Sequence, residues 1–216
     1  MADEKKKFSL GGIDNAAEEK GSGIKALWQF LKFVVVSGLV SIIQFGLAVL
    51  LPLIFDKFKM PELTGFLAQI FTADSVAPDK FAIYAPNGIV TWGYVLPFLL
   101  SNLIANIYGF YQNKKTTFKS DAPWYSFAAY IVLLLALILF ATWLQAIIVG
   151  ALTKIDPSAY TGFLARLTKI VSQDTVARLL ASMAAGFLQM VVLFPMEKFV
   201  LLKEKKPAEG EEAVAE

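Results

Sequence analysis

Apolar residues in this chain fall into four long runs separated by short polar stretches. The first is FLKFVVVSGLVSIIQFGLAVLLPLIF, residues 30–55, whose sole charge is Lys32 near one end. The second covers residues 89–111, the third residues 126–152 with no charge at all, and the fourth is most apolar over residues 179–194. A helix needs about 20 apolar residues to cross a hydrocarbon core of roughly 30 Å. Each run therefore predicts a membrane span, and the fold class expected is an all-α membrane protein with four transmembrane helices.

The segments between the runs predict shorter elements. Residues 56–89 read as a polar connection, with PELTGFLAQIF offering a short interfacial helix whose early positions hold Pro61 and Glu62. Residues 158–171 place Tyr160, Phe163, Leu164, Leu167, Ile170 and Val171 at helical spacing, which predicts a short amphipathic surface helix. Ser172 then offers an N-cap for the fourth span. Within the spans, Pro97 and Pro195 predict a kink and a break. Ala181, Ser182, Ala184, Ala185 and Gly186 predict close helix approach. Residues 1–24 and 205–216 mix charges without periodicity and read as disordered cytoplasmic tails around a membrane domain over residues 25–204. The first of these lacks the apolar core of a signal peptide.

Composition agrees with this pattern: 56% of the 216 residues are hydrophobic, against roughly 45–50% in a soluble domain, and the mean hydropathy is +0.58. The net charge of +2 gives no reason to expect nucleic acid as a partner. With neither Cys nor His, the chain has no thiol nucleophile, no Cys/His metal site and no imidazole base. No phosphate loop or nucleotide-binding unit is present, so no catalytic residue, metal or cofactor is expected and the chain does not read as an enzyme. Thirteen Lys and Arg residues lie on the side of the termini and the 114–119 loop, and seven lie on the other. The positive-inside rule then predicts a multi-pass protein of the cytoplasmic (inner) membrane with both termini cytoplasmic.

The two halves echo each other. Phe30 and Phe33 stand opposite Phe127 and Tyr130, and FYQNKKTTFK from Phe110 aligns with FPMEKFVLLK from Phe194, which sets Asn113-Lys114 against Glu197-Lys198. Both halves start on the same side, so the echo describes a parallel repeat of helical hairpins. The segment FLKFVVVSGLVSIIQFGL resembles the opening of GtrA-like membrane proteins, and NIYGFYQNKKTTFK resembles that family's second-helix exit. A weaker echo, MEKFVLL, ends the fourth span, and the likeness covers roughly residues 27–204. The chain departs from the family pattern in carrying Lys where Arg is common, Glu197 where a second Asn is expected, and a longer outer connection.

The resemblance implies a non-enzymatic role in moving polyprenyl-phosphate-linked sugars across the membrane for cell-surface polysaccharide synthesis. The implied partners are that lipid-linked sugar, membrane lipid and a membrane glycosyltransferase; a homo-oligomer also fits. It points to Asn113, Lys114 and Lys115 as candidates for contact with the carrier phosphate; the alternative is that the lysines only set topology. Gln44, Asn102, Asn106 and Gln189 are amides inside spans, either a path for sugar hydroxyls or interhelical hydrogen-bonding glue. Glu197 is expected to pair with Lys198 or Lys114, or else to lie exposed at the interface. Two other functions remain: a small multidrug-type transporter, which needs an embedded carboxylate, and a structural anchor for a glycosyltransferase.

Overall fold

A computed structural model describes residues 10–76, 81–156 and 159–203. Eight α-helices are found among them: α1 (Leu10–Glu19), α2 (Ser22–Phe55), α3 (Phe66–Ile70), α4 (Phe81–Tyr84), α5 (Trp92–Gln112), α6 (Trp124–Leu152), α7 (Gly162–Leu167) and α8 (Gln173–Pro195). α5 and α8 each continue into a π-helical turn, Asn113–Thr117 and Met196–Leu201. With these turns included, α2, α5, α6 and α8 are long and apolar enough to cross a membrane. Their outer faces are studded with exposed Val35, Ile42, Phe45, Val49, Val132 and Phe187. So much apolar surface suits lipid as the surrounding solvent and would be a liability in water.

Each apolar run becomes one helix because its backbone has no other way to satisfy its N–H and C=O groups in hydrocarbon. Ser172 caps α8 as its sequence position suggests, its hydroxyl accepting from the Thr175 amide at 3.2 Å. α2 lies along α5, and α6 along α8, giving two hairpins. The close approach in the first hairpin is at Gly109: a Cβ there would stand 2.6 Å from Val40 Cγ2. The small residues of α8 divide. Ala181 and Ala185 are buried, whereas Gly186 is exposed and a Cβ on it would meet nothing within 4 Å. The expectation of close helix approach thus fails at Gly186.

The hairpins meet reciprocally. Phe110 of the first packs on Phe127 and Tyr130 of the second, with ring centroids 5.6 and 4.6 Å apart. Phe194 of the second packs on Phe30 and Phe33 of the first, at 5.2 and 5.3 Å. These are the aromatic positions that the internal alignment makes equivalent. Exchange of equivalent contacts is the signature of a two-fold relation, here between repeats within one chain.

Three regions differ from expectation. The tail is helical over Leu10–Glu19, and α2 already starts at Ser22, so residues 10–19 and 22–24 are not disordered. Asp14 explains it: its carboxylate accepts from Trp28 Nε1 at 2.6 Å, Lys32 Nζ at 2.8 Å and Lys119 Nζ at 2.8 Å. Burial pushes this carboxyl up, but the bonds from Lys119, Lys32 and Trp28 outweigh it and hold its pKa down at about 2. The connection expected to be polar is a packed cap. Leu63, Ile70, Phe71, Val76, Tyr84, Ala85, Val90 and Val95 form its core. A Leu63–Val90 backbone bond of 2.8 Å ties it across a β-bridge between Glu62 and Thr91, so Pro61 and Glu62 lie outside any helix. The surface helix is shorter than its pattern, Gly162–Leu167, because backbone turns close it at Ile170 and Val171. The expected start of that helix, residue 158, and residues 1–9 and 205–216 of the tails lie outside the described residues.

Candidate functional site

The four spans line a cavity of about 510 Å3 that runs from the middle of the helices toward the cap. Its walls carry Ser41 and Gln44 from α2, Ser101 and Asn102 from α5, Thr142 and Gln145 from α6, and Ser182 and Gln189 from α8. Tyr94 and Phe98, stacked with centroids 6.0 Å apart, make an aromatic wall. Asp74 and Arg178 stand at the end covered by the cap. Arg178 is oriented by Asp174 at 2.8 Å and donates to the Asp74 carbonyl.

The lining is polar for a structural reason. Asn102 Nδ2 donates to the Phe98 carbonyl one turn back at 2.8 Å, which aims its Oδ1 at Gln44 Nε2, 2.9 Å away. Ser101 and Thr142 hold their hydroxyls on the carbonyls of Phe98 and Ile138 in the same manner. Gln145 reaches Ser182 at 3.2 Å across the second hairpin. These groups satisfy one another weakly and retain further donor and acceptor capacity, since an amide offers two N–H donors and a two-lone-pair oxygen.

Of the four amides proposed from sequence, Gln44, Asn102 and Gln189 line this cavity. Asn106 does not: its Nδ2 donates to the Asn102 carbonyl at 2.9 Å, and its own carbonyl accepts from Tyr130 at 3.2 Å. Missed from sequence were Ser101, Thr142, Gln145, Asp74 and Arg178. Helical periodicity supplies a signal for two of them, because Thr142 lies three residues before Gln145 on one face.

The three residues of the exit motif are not brought into one pocket. Asn113 is buried and turned inward, donating to Glu197 Oε2 at 2.8 Å while its Oδ1 accepts from Thr117 at 3.0 Å. Lys114 donates to the Ala122 carbonyl, and Lys115 is exposed. Glu197 is 1% exposed and bonded to Asn113, which corrects the expectation that it faces the cytoplasm or pairs with a lysine. Asn113 and Glu197 are equivalent in the internal alignment, and the backbone carbonyl of each accepts a bond from five residues ahead that closes a π-helical turn: Phe118 to Asn113 at 2.9 Å, Leu202 to Glu197 at 2.7 Å. They form a polar bridge between the hairpins at the end opposite the cap.

Protein-family models, curated proteins and solved structures give no match to this chain.

Proposed function

We propose that this chain is a cytoplasmic-membrane protein, with both termini cytoplasmic, that binds polyprenyl-phosphate-linked sugars and assists their passage across the bilayer. The carrying observation is the cavity: amides, hydroxyls and an aromatic wall enclosed by four apolar helices. Sugars are bound by this combination, with hydroxyls on amides and carboxylates and the ring's C–H face on an aromatic ring. The resemblance of the exit motif to GtrA-like proteins adds the polyprenyl carrier, cell-surface polysaccharide synthesis and a separate membrane glycosyltransferase as partner. In this reading Lys115, the motif residue with an exposed side chain, meets the carrier phosphate first, as a point charge rather than a fork.

A proton-coupled exporter fits less well. It needs a carboxylate deep in the binding cavity. Asp74 is exposed on the cap, and Glu197 is engaged with Asn113 at the far end.

The test is equilibrium binding of a short-chain polyprenyl-phosphoryl glucose to the protein in nanodiscs. The double variant Gln44→Leu/Asn102→Leu removes two lining amides that bond each other, so no orphan is left between them. Its affinity is expected to fall at least about tenfold, or about 1.4 kcal/mol. Unchanged binding by a correctly inserted variant overturns the assignment.

A further inference from the structure

We infer that the cavity is entered sideways from the bilayer, through a gap between α2 and α8, so that its ligand is an amphiphile whose chain stays in lipid. This rests on the reading of the cavity as the binding site. α2 and α8 touch at the bridge end, where Phe194 contacts Phe30 and Phe33 at 5.2 and 5.3 Å. From there the two helices run antiparallel. Eight residues along α2 from Phe33 comes Ser41, and eight back along α8 from Phe194 comes Gly186, about 12 Å nearer the cap. Both line the cavity and both are exposed, as are Phe45 and Ser182 one turn further on. A residue that lines a cavity and is also exposed on the outer face of a bundle marks an opening. At Gly186 a Cβ would meet nothing within 4 Å, so α2 does not close on α8 there.

The two ends and the hairpin seams are occupied by protein. The Asn113–Glu197 bridge and its aromatic cluster fill one end and each hairpin is packed along its own length, while at the cap end Asp74 and Ser75 lie over the cavity with Arg178 bonded to the Asp74 carbonyl. The opening lies at mid-span, where the surroundings are acyl chain rather than water. A water-soluble sugar has no route through it. A lipid-linked sugar does, with its polar head among Gln44, Asn102 and Gln189 and its prenyl chain leaving between Ser41 and Gly186.

The experiment places a plug where an added Cβ meets open space. Gly186→Trp is compared with Gly46→Trp, a second open position on α2 that lies off the cavity. In one arm a nitroxide on Gln145→Cys, in this otherwise Cys-free chain, reports collision with oxygen, which concentrates in the bilayer, and with a water-soluble nickel chelate. Oxygen collisions are expected to dominate and to fall at least twofold with Gly186→Trp but not with Gly46→Trp. Nickel-dominated collision, or no response to the plug, overturns the lateral opening. In the other arm, polyprenyl-phosphoryl glucose and glucose 1-phosphate are titrated. The lipid form is expected to lose at least tenfold in affinity with Gly186→Trp, and glucose 1-phosphate is expected not to compete. Competition by glucose 1-phosphate, unaffected by the plug, overturns the amphiphile assignment. If wild type binds neither probe, the proposed function fails, while the nitroxide arm still decides the opening.

Discussion

The bridge between Asn113 and Glu197 makes the sharpest energetic prediction. Between membrane helices a hydrogen bond averages only about 0.6 kcal/mol, so losing the bond itself should be a small effect. Stranding its partner is larger. Glu197 is 1% exposed and Asn113 is 3% exposed, and a buried polar group left without its bond costs about 1–3 kcal/mol, more if charged. Asn113→Leu should therefore destabilise by about 2–3 kcal/mol, most of it from the stranded carboxyl. Glu197→Leu should cost about 1–3 kcal/mol through the stranded amide. Glu197→Gln keeps an acceptor oxygen opposite Asn113 Nδ2 and should cost under about 1 kcal/mol. The double variant Asn113→Leu/Glu197→Leu removes both polar groups together and should be less destabilising than Asn113→Leu alone. Reversible unfolding in mixed detergent micelles, monitored by circular dichroism, gives all four values and the coupling energy. If the double variant loses the sum of the single losses, the two side chains do not act as a pair and the reasoning fails.

Gly109→Ala should destabilise by about 1–3 kcal/mol in the same assay, since its Cβ would fall 2.6 Å from Val40 Cγ2, whereas Gly186→Ala should stay within about 0.5 kcal/mol. Asp14 holds α1 down with a pKa lowered to about 2 from the ordinary 3.8. A depressed carboxyl contributes stability above its unfolded pKa and loses it as pH falls through the folded one. Protease protection of α1 should accordingly persist at pH 5 and decline between about pH 4 and 2, while Asp14→Asn should expose α1 already at neutral pH. A cysteine replacing Lys115 should resist impermeant thiol reagents added outside intact cells; labelling from outside would reverse the proposed orientation.

The spans were readable because hydrocarbon leaves a chain so few choices: an apolar run of that length must be helix, and Ser172 marks the start of α8 by the same capping rule that works in water. The amides Gln44, Asn102 and Gln189 were readable as cavity lining because a polar side chain inside a span has to face protein or a cavity. What escaped was set by long-range contacts. The cap buries Leu63, Phe71 and Val76 from a connection that looks polar. α1 forms where Asp14 meets Trp28, Lys32 and Lys119, three residues from distant positions in the chain. Gly186 shows the limit of composition: small residues permit close packing, but here the space beside them belongs to a cavity. The Asn113–Glu197 bridge had a usable signal in the alignment of the halves. In a parallel repeat, equivalent residues near the two-fold axis lie close to each other, so a matched Asn and Glu at the ends of spans two and four are natural partners.

The central claim is that the cavity carries a lipid-linked sugar through the bilayer. Its most direct measurement is sided transport: proteoliposomes loaded with a short-chain polyprenyl-phosphoryl glucose, with the inner-to-outer exchange of the sugar followed by an impermeant glucose-modifying enzyme. The account predicts exchange well above that of protein-free liposomes, lost on Gln44→Leu/Asn102→Leu and slowed by Gly186→Trp. Exchange no faster than in protein-free liposomes, from protein shown to be folded and inserted, would contradict it.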